Sequence, residues 1–477
     1  MADVSSSGRP VIVWFRDDLR LADNPALAAA AATGRPVLCI YVHDETNADA
    51  RPLGGAAKWW LHGSLAALDE ALRARSGELA ILRGPARACI ETLVMEIGAS
   101  HVFWNRRYDA AGRAVDTEIK ATLKARDIVA ESFNGHLLHE PWTVMNQSGA
   151  PFRVFTAFWR AACAQGAPAT PLPVPSKLRF HATPPGLPRV ALDDLGLEPR
   201  SPDWAGGMRA AWQRGEAGAA ARLAAFVAVG LEGYADARDR PDKPATSRLS
   251  PYLRFGNVSV RQVWHAVTAA EAAGRARSRD CEKFRAELGW REFSYNLLYH
   301  QPELATRNVR TEFDAMPWRN DPAALAAWQR GLTGYPIVDA GMRELWTTGW
   351  MHNRVRMVVA SFLTKHLLID WRAGEAWFWD TLVDADTASN AQNWQWVAGS
   401  GADAAPYFRI FNPVLQGEKF DPDGDYVRRW VPELAHRTAD VIHHPVDGGV
   451  DGYPQPIVDH AAARKRALDA SKTLKRS

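Results

Sequence analysis

The sequence predicts an α/β domain built on a doubly wound, parallel five-stranded sheet (Rossmann-like), followed by an all-α domain. Three observations predict it. The first third alternates short β-branched or aromatic runs with helical stretches. The middle turns rich in proline. Beyond about Gly206, almost every segment carries apolar residues at i, i+3 and i+4.

Each element follows in order. Residues 11–15, 37–42, 79–82 and 101–104 read as strands, and 128–133 as a weaker fifth. Between them, 25–32, 56–75, 86–97 and 110–125 read as helices. Such sheets take ligands beyond the carboxyl ends of their strands. Those ends carry Arg16 to Asp18, His43 to Glu45 and Asn105 to Tyr108. A glycine-rich dinucleotide fingerprint and a Walker loop are both missing, which excludes an ordinary NAD or ATP site. The Pro-rich stretch, with Pro171, Pro173, Pro175, Pro184 and Pro185, resists regular helix and reads as a connector over the surface. Helices are expected at 210–228, 260–273, 281–299, 322–329, 337–347, 353–367 and 375–382. The basic tail, 464–477, reads as solvated. The expected domains are 1–135, a connector 136–205, and 206–477.

The chain has 477 residues and a formal net charge of +3, too small to prove a nucleic-acid partner. Any DNA binding must rest on a local basic patch. No run of about 18 apolar residues exists to span a membrane, and the polar, Ser-rich start lacks the apolar core of a secretory signal. Four distant cysteines show no metal-ligand spacing and read as reduced thiols, so a cytoplasmic location is expected. Twenty tryptophans are anomalous, and fourteen of them follow residue 200. They suit an aromatic helical core, stacking on a planar ligand, or electron transfer; composition does not separate these.

Three constellations carry chemistry. Thr246, Ser247 and Ser250 surround Arg248; such a group holds a pyrophosphate or merely caps a turn. Glu287, Trp290 and Arg291 share one helix face, as a pocket wall or as a surface ion pair beside a core indole. Asn353, Arg356 and Met357 precede Asp384, Asp386 and Asn390, and Arg356 is a partner for Asp384. Two carboxylates at this spacing make a metal site conceivable, but no histidine joins them.

The run Thr333-Gly-Tyr-Pro-Ile-Val-Asp-Ala-Gly-Met-Arg-Glu-Leu345 through Ala405-Pro-Tyr-Phe-Arg-Ile-Phe-Asn-Pro413 resembles the photolyase–cryptochrome family, as does Val13-Trp-Phe-Arg-Asp-Asp-Leu-Arg20. The stretches Ala57-Lys-Trp-Trp-Leu-His-Gly-Ser-Leu65 and Trp379-Asp-Thr-Leu382 look like plant cryptochromes and class III photolyases. The resemblance implies an N-terminal antenna domain and a helical domain holding FAD in a folded form. By motif, FAD would meet Tyr234, Thr246, Ser247, Arg248, Leu249, Ser250, Phe284, Arg291, Asn353, Arg356, Asp384, Asp386 and Asn390. Glu287, Trp290, Asn353, Met357 and Trp396 would line a lesion pocket, and Arg238, Arg354 and Arg409 would face DNA phosphates. Trp394, Trp371 and Trp318 match the family's electron-transfer chain. Glu45 is the candidate contact for a methenyltetrahydrofolate antenna.

The implied activity is that of a photolyase. Reduced FAD, excited by blue or near-ultraviolet light, passes an electron to a flipped-out cyclobutane pyrimidine dimer in DNA. Glu287 is expected to be protonated, or to become so, against the dimer's carbonyl oxygens in a dry pocket, and the chain to act as a monomer. The competing reading is a light-sensing cryptochrome that signals through protein partners. The short tail and Asn390 oppose it, because plant cryptochromes carry Asp at the matching position and a long extension. Relatives that repair 6-4 products carry His where this chain has Asn353 and Met357.

Overall fold

A computed structural model describes residues 8–404, 409–444 and 452–474. The motif residues 405–408 and both extreme ends lie outside the described residues. Strands β1 (Val11–Phe15), β2 (Val37–His43), β3 (Leu79–Arg83), β4 (His101–Asn105) and β5 (Val129–Phe133) form one parallel sheet in the order β3-β2-β1-β4-β5. Alternation on β1 sends Val11, Val13 and Phe15 to one core, and Ile12 and Trp14 to the core on the other face. Helices therefore cover both faces, as a parallel sheet requires. The strand order reverses between β1 and its neighbours β2 and β4, which places a crevice over their carboxyl ends.

The helices Pro25–Ala32 and Ala86–Ile97 lie where the pattern predicts them, and the others of this domain differ by one or two residues at their ends. Asn24 and Asp109 cap their helices by accepting from Leu27 N and Gly112 N.

Three expectations are corrected. The Pro-rich connector contains the helix Phe155–Cys163, whose Phe158 and Ala162 are buried against Phe293; local proline content did not decide there, and tertiary packing did. The helix expected at 210–228 is broken. Trp212 turns extended so that its indole N–H can donate to Thr348 O (2.8 Å), and a new helix, Glu216–Ala225, starts after it. The basic tail is not solvated along its whole length. His460–Thr473 is a helix whose Ala463, Ala467 and Ala470 are buried, the last two packing beside Phe313, Met316 and Leu368.

The two halves share a polar, buried interface. Asn257 accepts from Trp60 Nε1 (3.0 Å) and Ser64 Oγ (3.2 Å) and donates to Leu19 O. Asp23 pairs with Arg261 (2.9 Å). Gly256, in the left-handed region at φ 64°, lets its backbone lie against Asp17 and Asp18, where any side chain would overlap the Asp17 carbonyl.

Candidate active site

A recess and a convergence of helices share this frame. The first lies at the strand ends, with a volume of about 190 Å³. Its lining includes Arg16 and Asp17 after β1, His43 and Glu45 at β2, Arg107 after β4, and Arg254 from the helical half. Arg16 is buried and fixed by Asp116 (2.8 and 3.1 Å) and by Asn105 O. Asp17 accepts from Arg107 (2.6 Å) and Arg254 (2.9 Å). Burial opposes ionisation of Asp17, but the two guanidiniums outweigh it and hold its carboxyl well below the usual range. Asp44 caps the helix Ala86–Ile97 by accepting from Ala86 N (2.8 Å). Glu45 pairs instead with Lys58 Nζ (3.1 Å) and Arg83 Nη2 (3.6 Å), and lies 3.4 Å from the His43 ring.

In the helical half four segments converge: the loop 233–250, the helix Ser278–His300, the helix Asn353–Ser361, and the stretch from Asp384 into the helix Ser389–Ala398. Arg356 and Asp384 form the predicted pair, twofold, at 3.1 and 2.8 Å. Asp386 accepts from Ala388 N (2.9 Å) and Ser389 N (2.6 Å), so it starts the helix that carries Asn390, Trp394 and Trp396. Phe284 is buried against Phe226 and Tyr234, closing an aromatic corner.

The donors of the loop 233–250 fit a phosphate-bearing ligand. Thr246 and Ser247 are half-buried and Ser250 is exposed. Arg248 has a left-handed backbone (φ 52°), and its guanidinium lies between the rings of Trp212 and Trp350, 4.5 and 4.7 Å from their centres. Its Nε is buried without a hydrogen-bond partner. A half-buried guanidinium with an unmet donor suits an anion beside it. The N-terminal end of the helix Asn353–Ser361 is anchored by Glu344, which accepts from Tyr426 Oη (2.6 Å) and His352 N (3.4 Å). Burial raises the Glu344 carboxyl to about 7 and lowers His352 to about 4.

The tryptophans grade from core to surface. Trp371 and Trp394 are buried and Trp318 is half-buried. Any side chain at Gly374 would overlap the Trp394 ring, which sets that ring against the helix Trp371–Thr381 one turn beyond Trp371. The Trp394 indole N–H is buried without a partner.

Other side chains stand differently from expectation. Glu287 accepts from Arg238 and lies 3.8 Å from Lys283 Nζ, so it is ion-paired here. Arg238 turns inward to that pair, and Arg354 pairs with Asp239 (2.8 Å), so neither cation is free toward solvent. Arg409 is exposed. Arg291 reaches His136, donating to its carbonyl (2.9 Å) and lying 2.6 Å from its ring, at the seam between the halves. Asn353 is exposed; Met357, Trp290 and Trp396 are half-buried. Among the described residues one acidic group, Asp242, Asp423 and Asp425, has metal-like spacing, but Asp242 already pairs with Arg240 and Lys243.

Sequence reasoning missed Phe155, Arg254 and Glu375. Phe155 stacks on Trp290 (centroids 3.8 Å, planes within 8°), yet it sits in the stretch read as irregular. Arg254 donates to Ala385 O (2.9 Å), between Asp384 and Asp386. Only its position four residues past Ser250 could have flagged it. Glu375 accepts from Asn390 Nδ2 (2.8 Å).

An α/β sheet with a polar crevice, fused to a helical half that gathers Thr246, Ser247 and Ser250 about an Arg248 set between two indoles, fits a protein that binds a phosphate-bearing cofactor. Residues 11–176 match the DNA photolyase family, and residues 284–473 match the FAD binding domain of DNA photolyase. The chain belongs to the DNA photolyase family. It is 51% identical to a deoxyribodipyrimidine photo-lyase of Agrobacterium fabrum, over 98% of each chain. Cryptochrome-1 of Arabidopsis thaliana is 40% identical, over 97% of this chain and 70% of that one. The fold matches a bacterial class III photolyase from Agrobacterium tumefaciens at a TM-score of 0.95, covering all of both chains.

Proposed function

We propose that the chain repairs cyclobutane pyrimidine dimers in DNA in a light-dependent reaction, with FAD as its cofactor. Full-length 51% identity to a deoxyribodipyrimidine photo-lyase carries this reading. The amide at Asn390 favours repair over signalling. FAD supplies, when bound and reduced, the light-excited electron that splits the dimer.

The chain's own residues do the rest. Thr246, Ser247, Arg248 and Ser250 hold the phosphates, and the Arg356–Asp384 pair fixes the loop beside them. Phe284 and Tyr234 wall the site. Trp290, backed by Phe155, and Trp396 give flat walls on which the dimer leans. Asn353 and Met357 offer an amide and a thioether, neither of which is a general acid. Arg238 moves from Glu287 to a DNA phosphate as the lesion enters, together with Arg354 and Arg409. Glu287 would then meet the dimer's carbonyl oxygens, to which a carboxyl donates only through its O–H. Extrusion of a dimer costs less than that of a normal base, because the dimer is already poorly stacked.

The strand-end cavity takes an antenna, methenyltetrahydrofolate, with Glu45 at its pterin. Residues 1–135 form the antenna domain, 136–205 connect, and 206–477 form the catalytic domain, acting as a monomer. Among the described residues, no helix is long and apolar enough to cross a membrane.

The test illuminates reduced enzyme with oligonucleotides carrying either lesion and separates the products by chromatography. Dimers are restored and 6-4 products are not. Restoration of the 6-4 lesion, or failure on the dimer, refutes the assignment.

A further inference from the structure

Asn390 is held by a chain of contacts that begins in the other half of the molecule. Its Nδ2 donates twice to one residue, to Glu375 O (3.1 Å) and Glu375 Oε1 (2.8 Å). With both interactions spent on the nitrogen, the amide turns its oxygen, an acceptor, away from Glu375. The same Glu375 Oε1 accepts from Arg51 Nη1 at 2.6 Å. Arg51 lies in the loop after β2, on the lining of the strand-end cavity, and its guanidinium stacks on Trp379, 4.2 Å from the ring centre. That ring is fixed in turn, because Trp379 Nε1 donates to Pro52 O (2.7 Å). The Glu375 side chain is 4% exposed and the Arg51 side chain 31%. The cation thus reaches in from the rim to a carboxylate that is otherwise buried.

We propose that Arg51 is a positioning residue for the flavin site: by pairing with Glu375 it fixes which end of the Asn390 amide the cofactor meets. The proposal rests on the reading that Asn390 adjoins the reactive central ring nitrogen of FAD. That nitrogen carries a hydrogen in the fully reduced flavin and only a lone pair in the oxidised one. An amide oxygen therefore favours the reduced form, and an amide N–H the oxidised form. Without Arg51, Glu375 is a buried carboxylate with no cation, which is costly. It then moves outward toward solvent, and Asn390 loses the acceptor that orients it. The amide becomes free to turn its nitrogen to the flavin.

The test uses purified holoprotein. Arg51→Gln, Arg51→Lys and Asn390→Asp are compared with wild type for FAD content, for the dark reoxidation rate of reduced flavin in air, and for the flavin midpoint potential by spectroelectrochemistry. Arg51→Gln reoxidises several-fold faster with a more negative potential at equal FAD content, and Arg51→Lys recovers most of the difference. Should Arg51→Gln lose FAD on purification, Arg51→Met replaces it under the same criterion, because it keeps an apolar stem against Trp379 without the charge. A shift in Asn390→Asp with none in the Arg51→Gln variant, or an equal shift in Arg51→Gln and Arg51→Lys, overturns the role of Arg51. No shift in Asn390→Asp overturns the placement of Asn390 itself, and the proposal with it.

Discussion

Replacing Glu344 with glutamine should stabilise the protein at alkaline pH relative to wild type, and not at acid pH. Glu344 lies under the start of the helix that carries Asn353, Arg356 and Met357, and its carboxyl is buried beside Tyr426 and His352 N. An ordinary glutamate loses its proton near 4.5, whereas burial holds this one to about 7. Between those values the folded chain binds more protons than the unfolded chain. The contribution to stability is therefore complete below about 4.5 and is lost as pH rises through about 7. At about 1.4 kcal/mol per pH unit, the interval corresponds to about 3 kcal/mol. Glutamine keeps an oxygen for the Tyr426 hydroxyl and the His352 amide, and it does not ionise. Thermal midpoints of both holoproteins, measured from pH 5 to pH 8.5, check this. At roughly 2 °C per kcal/mol for a large domain, the gap should widen by about 5 °C in favour of Glu344→Gln. A gap that stays constant with pH refutes the buried, late-titrating carboxyl.

Three other perturbations separate the parts of the site. Trp394→Phe or Trp371→Phe should sharply slow photoreduction, followed by flavin absorbance, while chemically reduced enzyme still repairs; normal photoreduction in Trp371→Phe places the main path elsewhere. Phe155→Ala removes the ring stacked on Trp290. A pair of this kind is worth about 0.5–1.5 kcal/mol, so affinity for dimer-containing oligonucleotide should fall by roughly twofold to tenfold in fluorescence anisotropy, with the flavin spectrum unchanged. Mass spectrometry of released cofactors should find FAD and methenyltetrahydrofolate; a deazaflavin, or FAD alone, ends the folate assignment.

The sheet was legible because its strands are short apolar runs bounded by turns, and that pattern depends on neighbours in sequence. The Arg356–Asp384 pair was legible because both residues stand in recognisable motifs. The helix Ser389–Ala398 was not read as a helix, because its buried face includes Asn390, Gln392 and Gln395, polar groups that hide an apolar period. Gln395 is buried because its side chain donates to Leu304 O (2.7 Å) and Arg307 O (2.9 Å), partners about ninety positions away. The same holds for Glu287. Spacing put it on a face with Trp290, but nothing local announces that Arg238 would occupy its carboxylate.

Contacts of that distant kind also fix the relation between the strand-end cavity and the helical half. Arg254 donates to Asp17 after β1 and, through Nε, to Ala385 O between Asp384 and Asp386. Asp17 also takes Arg107, after β4. A buried ion pair adds little net stability, but removing one partner strands a charge in the interior and costs several kcal/mol. Sliding one half over the other would break Asp17 from Arg254, Asp23 from Arg261 and Asn257 from Trp60 together. Apolar surfaces tolerate small shifts; these pairs do not. Excitation transfer between an antenna and a flavin depends steeply on separation and angle, so a polar, many-partnered seam suits a protein that must hold two chromophores in one fixed relation.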